Sequence, residues 1–119
     1  MAIKRIDVTE GPGTRMSKCV VNGNVAYLAG LVADDANGDI KAQTQQVLAS
    51  IDHYLKQAGT DKSKLLQAHV WITDMAHYAA MNEVWNAWVD PKNPPARACI
   101  QAPLARKGLL VEIMVTAAI

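Results

Sequence analysis

The chain has 119 residues, 50% of them apolar and 19% charged, with a formal net charge of +1. That length suits one domain, 1–119, with the composition of a packed globule rather than a disordered chain, and near-neutrality leaves no positive field to gather nucleic-acid phosphates or anionic lipid. Cys19 and Cys99 form no Cys-x-x-Cys pair and stand beside no histidine at zinc-ligand spacing, which argues against a disulfide framework or structural metal and fits a reducing cytoplasm.

The first eight residues alternate charged and apolar side chains and lack the continuous apolar stretch of a signal peptide. No window approaches the roughly 20 apolar residues of a membrane span. Ile3, Ile6 and Val8 among Lys4, Arg5 and Asp7 predict a first strand, broken by the loop Gly11-Pro12-Gly13-Thr14. Asn22-Gly23-Asn24 lies between Cys19-Val20-Val21 and the apolar run 25–29. Asn-Gly in that setting is the strongest short-range hairpin signal, so strands two and three form a hairpin. After the turn-rich segment 34–39, Val47, Leu48, Ile51, Leu55 and Ala58 recur at helical spacing, with Asp39 as N-cap and Gly59 as C-terminal stop. Residues 65–72 read as a strand. Residues 76–89 read as a second helix carrying the stripe Ala80, Met81, Val84, Trp85 and Trp88. Pro94-Pro95 precedes a strand at 96–102, and a turn at 103–108 leads into a long strand at 109–118.

Three strands, a helix, a strand, a helix and two strands predict an α+β domain, a six-stranded sheet with two helices on one face. Strand three and the last strand are apolar at nearly every position, which calls for burial on both faces. Two helices cover one face only, so the other is expected to be covered by further copies of the chain.

Glu112 is the least expected residue, a carboxylate within Leu109-Leu110-Val111-Glu112-Ile113-Met114-Val115. Arg97, on the preceding strand, is its natural partner, because a guanidinium can fork onto a carboxylate. Two readings stand open: a structural salt bridge at a subunit interface, or a ligand site. His53, His69 and His77 fall on different elements with no metal-ligand spacing. Cys99, two residues beyond Arg97, shares its face and reads either as a packed thiol or as a nucleophile. Residues 11–15 match neither the phosphate-binding loop nor the dinucleotide fingerprint. Trp85 and Trp88 read as packing residues.

The stretch Asn93-Pro94-Pro95-Ala96-Arg97-Ala98-Cys99-Ile100-Gln101-Ala102-Pro103-Leu104, followed by Leu110-Val111-Glu112-Ile113, resembles the C-terminal signature of the RidA (YjgF) family. Ser17-Lys18-Cys19-Val20-Val21 with Tyr27-Leu28-Ala29-Gly30, Ala42-Gln43-Thr44-Gln45-Gln46-Val47-Leu48, and Val70-Trp71-Ile72-Thr73-Asp74-Met75 with Ala80-Met81-Asn82-Glu83-Val84 are similar to the same family in the same order. The resemblance implies a chorismate-mutase-like fold with a mixed sheet, assembled as a homotrimer with active sites between subunits and no metal or organic cofactor. It implies hydrolysis of enamines and imines such as 2-aminoacrylate, 2-iminopropanoate and 2-iminobutanoate to 2-keto acids and ammonia. By the same resemblance Arg97 binds the substrate carboxylate, Glu112 places the attacking water, and backbone groups of Gly30 and Cys99 line the pocket with Asn82 at its edge.

Met16 stands where the best-known deaminases usually carry a tyrosine, and Ala29-Gly30-Leu31 where they commonly have serine, glycine and glutamine. Met16 and Leu31 are therefore expected to line a less polar pocket suited to a bulkier imino acid. The alternative is a non-catalytic oligomer that binds a carboxylate metabolite or protects other proteins. A ribonuclease fits poorly with the near-neutral charge.

Overall fold

The structure is a computed structural model that describes residues 2–9 and 11–119; Met1 and Glu10 lie outside the described residues. Chain order begins with three strands, β1 (Lys4–Val8), β2 (Ser17–Asn22) and β3 (Val25–Leu28). As the Asn-Gly signal predicts, β2 and β3 pair as an antiparallel hairpin, and Gly23 sits in the turn at φ 63°, a backbone region glycine enters without strain. A two-residue strand, β4 (Leu31–Val32), follows and was not foreseen. It is too short to show any periodicity and is held by pairing with the last strand.

The first helix, α1 (Ile40–Ala58), begins where expected: Asp39 accepts a hydrogen bond from the Ala42 amide, and Gly59 closes the helix in the left-handed conformation. Strand β5 (Leu65–Ile72) leads through a short 3-10 turn (Met75–His77) into α2 (Tyr78–Trp88), and β6 (Ala96–Gln101) and β7 (Val111–Ala118) complete the chain.

The strands are ordered β1-β2-β3-β7-β5-β6, with β4 also pairing with β7. Only β5 and β6 run parallel, joined by the crossover through α2, so the sheet is mixed as the resemblance implies. Both helices pack on one face. Val111, Ile113, Val115 and Ala117 of β7 point toward them together with Ala68, Val70 and Ile72 of β5, and meet Val47, Leu48, Ile51 and Leu55 of α1 in the core. The opposite face is open in the single chain, and its side chains are half-buried or exposed: Tyr27, His69, Trp71, Ile100, Met114 and Thr116.

Gln43 is the one fully buried amide in this core. Its Oε1 accepts from the Leu110 amide at 2.9 Å and its Nε2 donates to the Gly108 carbonyl at 2.8 Å, which ties α1 to the loop entering β7. That loop passes so close to the Ala36 carbonyl that a Cβ at Gly108 would stand 2.8 Å from its oxygen, and Gly108 has φ 90°. Among the described residues no helix is long and apolar enough to cross a membrane.

Candidate functional site

Strand alternation places Arg97 and Cys99 on one face of β6, and the parallel register sets them beside Ala68 and Val70 of β5. Both partners are fully buried, so this is the face covered by helices. Arg97 emerges at the margin of that cover, beneath α2. Its Nη1 donates to Asn82 Oδ1 at 2.8 Å, its Nη2 lies 3.5 Å from the Tyr78 hydroxyl, and its guanidinium carbon lies 5.2 Å from the centroid of the Trp85 ring. Asn82, Tyr78 and Trp85 all come from α2 and follow one another at helical spacing, so a single helix face cradles the cation.

Among the described residues no carboxylate lies within ion-pairing distance of Arg97. The one ion pair among them joins Lys41 and Glu83 on the helix surface. Half of the guanidinium is held and its charge is left unneutralised, which suits it to receive an external anion. Cys99 is half-buried beside it. Burial pushes its thiol pKa up and the Arg97 charge pulls it down by less, which gives the nucleophile reading no support.

Glu112 is elsewhere. It pairs with Trp71 of β5 and Val32 of β4, and Trp71 pairs in turn with Ile100, all on the open face. The expected salt bridge to Arg97 is absent. Strand β5 lies between β6 and β7, which puts the two backbones about 10 Å apart at the usual strand spacing, and the side chains leave from opposite faces. The sequence shows that β6 and β7 are joined by a short loop, but not that β5 is inserted between them.

The carboxylate of Glu112 rests on Gly30. A Cβ built there would overlap its Oε2, so the absence of a side chain makes the seat. Among the described residues no hydrogen bond reaches that carboxylate. Gly30 and Glu112 therefore lie together, as do Arg97, Asn82 and Cys99, but the two groups, expected in one pocket, are separate in one chain.

Met16 is exposed on the loop leading into β2. Leu31 does not fit the role expected of it: it pairs with Ile113 on the helix face and is only 4% exposed in the core, while its neighbour Val32 takes the place beside Glu112. Trp85 was missed beside Arg97 because an aromatic at helical spacing reads as packing, and Tyr78 carries no signal in the sequence that singles it out. His53 lies on α1, His69 stacks on Trp71 across the open face, and His77 lies in the 3-10 turn. A groove of about 590 Å³ between α1 and β4, lined by Lys18, His53 and Arg106 among others, contains neither Arg97 nor Glu112.

Comparison with known proteins gives a consistent result. A family model described as Endoribonuclease L-PSP matches residues 9–119. A RutC family protein from Haemophilus ducreyi is 48% identical over 98% of this chain and 97% of its own length. The RutC family protein YoaB of Escherichia coli is 37% identical over the full length of both. A protein named 3-aminoacrylate deaminase RutC, from Acinetobacter baylyi, is 35% identical over 76% of this chain and 75% of its own. In three dimensions, a YjgF-family protein from Neisseria meningitidis superposes with a TM-score of 0.92 at 40% identity, covering 99% of this chain and 95% of the other.

Proposed function

The chain belongs to the endoribonuclease L-PSP family, the YjgF or RidA family, and from that membership we propose that it hydrolyses reactive 2-imino acids and their enamine tautomers to 2-keto acids and ammonia. The observation that carries this reading is the Arg97 guanidinium, oriented by α2 and unpaired with any carboxylate among the described residues. The named substrate of the Acinetobacter relative, 3-aminoacrylate, is an enamine bearing a carboxylate, the chemistry such a guanidinium would hold.

In the proposed reaction Arg97 grips the substrate carboxylate in a two-point fork. Water, with Glu112 accepting its proton, attacks the imine carbon. The new C–O bond forms as the C=N π pair moves to nitrogen, which is protonated. The resulting carbinolamine then expels ammonia as its C–N bond breaks, and the hydroxyl proton is lost to leave the keto group. Orientation and proton transfer of this kind contribute factors of about a hundred or more.

A small imino acid cannot span Arg97 and Glu112 of one chain, since they leave opposite faces of the sheet two strands apart. The reading therefore requires that one copy supply Arg97, Asn82 and the Cys99 backbone while a neighbour supplies Glu112 and Gly30. We propose a homotrimer with three such clefts, working in the cytoplasm. The open sheet face, with exposed Tyr27 and Ile100 and half-buried Trp71 and Met114, supports that assembly. Met16, which stands where the best-known deaminases usually carry a tyrosine, and the apolar Val32 beside Glu112 favour a bulkier, apolar imino acid over the smallest ones. A net charge of +1 offers no electrostatic support for cutting RNA, despite the family's description.

The test is to generate a panel of imino acids in situ with an amino acid oxidase and follow their decay with and without the purified protein. Shortened lifetimes, greatest for apolar side chains, are expected. Unchanged lifetimes across the panel would leave the non-catalytic carboxylate-binding reading.

A further inference from the structure

We infer that Trp85 is a positioning residue for carboxylate recognition: its indole face holds the Arg97 guanidinium in the plane from which a ligand carboxylate is gripped. The inference rests on the reading of Arg97 as carboxylate anchor and adds to it the part of the fold that makes the anchor effective.

Arginine is a long side chain on a flexible stem, and its two-point grip on a carboxylate works only if the guanidinium plane is set before the ligand arrives. The usual means of setting it is an acidic partner, but a carboxylate there would also neutralise the charge the ligand needs. Among the described residues the plane is set without an acid. Asn82 Oδ1 takes one N–H at 2.8 Å, and the ring of Trp85 lies under the cation, with 5.2 Å between the guanidinium carbon and the ring centroid. An aromatic face attracts a cation through its quadrupole while adding no negative charge, so the remaining donors keep their full field.

Trp85 is itself immobilised. It is only 5% exposed, and it packs against Trp88 with ring centroids 5.4 Å apart. Trp88 is pinned to α1 by donation from its Nε1 to Asp52 at 2.9 Å, and Lys62 lies over its ring. The support thus runs from α1 through Trp88 and Trp85 to Arg97, which explains why two large aromatics stand in succession on the α2 stripe.

The experiment measures affinity for 2-oxobutanoate, a stable product-like carboxylate, by calorimetry, together with KM and kcat on oxidase-generated imino acid. Trp85→Leu is expected to raise the Kd and KM about tenfold and to leave kcat at saturation within about twofold, with Trp85→Phe recovering most of the loss. Because leucine in a packed position can compromise folding, a second series keeps the shape: the parent protein is produced with mono-, di- and trifluorinated tryptophan, which weakens the ring quadrupole stepwise. The Kd should climb with each fluorine in the parent and stay level in Trp85→Phe protein labelled in the same way. A level series in both, or a Trp85→Leu protein that binds 2-oxobutanoate like the parent, overturns the inference while the deaminase reading stands. A parent protein that neither binds 2-oxobutanoate nor turns over any imino acid overturns both.

Discussion

Arg97 and Glu112 stand in the same sheet with one strand between them, yet the chain equips them in opposite ways. Arg97 is built in from one side: α2 gives it a hydrogen-bond acceptor, a nearby hydroxyl and an aromatic face, and its plane is settled within a single chain. Glu112 has a seat and no partner. Gly30 leaves room for its carboxylate, Val32 and Trp71 flank it, and among the described residues nothing donates to it. A binding group must be rigid before the ligand comes, whereas a group that handles a water proton needs space for that water. On the proposed reading the single chain would then hold two halves of a site, one finished and one waiting for its complement.

The strongest way to break that comparison is to disable each half in turn and then mix them. Arg97→Ala should lower kcat/KM by about a thousandfold, since both grip and orientation are lost, with the oligomer unchanged by light scattering. Glu112→Gln should cut kcat by about a hundredfold with KM almost unaffected. Its melting temperature should match the parent's, because no ion pair with Arg97 is broken; a large drop would restore the structural reading of Glu112. If each site takes Arg97 from one copy and Glu112 from another, unfolding the two inactive proteins together at equal amounts and refolding them should restore about a quarter of the parental activity by random assortment in a trimer. No recovery, with mixed oligomers demonstrated by mass spectrometry, would mean that the two halves never meet.

A smaller effect tests the Glu112 half alone. In Gly30→Ala the new methyl overlaps the Glu112 carboxylate, which must swing away from its seat, and kcat should fall on the order of tenfold while 2-oxobutanoate binds as before. Loss of binding with turnover per bound ligand intact would move Gly30 to the Arg97 half.

Much of this was legible in the sequence, for local reasons. Asn22-Gly23 marks a hairpin because few residue pairs tolerate its backbone, Asp39 and Gly59 bound α1 because they satisfy its end groups, and alternation sets Arg97 and Cys99 on one face. What was not legible is non-local. The expected Arg97–Glu112 contact assumed that strands joined by a short loop are neighbours, but β5 inserts between them by pairing parallel to β6 and antiparallel to β7. Leu31 was expected in the pocket because it stands where the deaminases it resembles carry glutamine, and only its pairing with Ile113 reveals that it faces the core. Trp85 read as packing, which its burial against Trp88 bears out; the guanidinium over its ring appears only once β6 is laid beneath α2.

The smallest expected effect uses Cys99 as a gauge of charge beside Arg97. Its thiolate, not its thiol, is alkylated by iodoacetamide, so the rate follows the fraction ionised. Burial raises the Cys99 pKa and the positive charge of Arg97 lowers it by less, so in a Cys19→Ala background the rate should rise with pH along a curve whose midpoint lies above that of a free cysteine. Removing the cation by Arg97→Met, which keeps most of the side-chain bulk beside Cys99, withdraws the lowering influence while the burial stays, and the midpoint should move further up. Saturating 2-oxobutanoate, which sets a negative charge against Arg97, must move it the same way. Glu112→Gln has the opposite sign, because it deletes a negative charge: it cannot raise the midpoint, and any downward movement reports how near the neighbouring copy's glutamate comes to the thiol. An upward shift in Glu112→Gln would show that the midpoint does not follow the charge at Cys99, and the use of this thiol as a gauge of Arg97 would have to be abandoned.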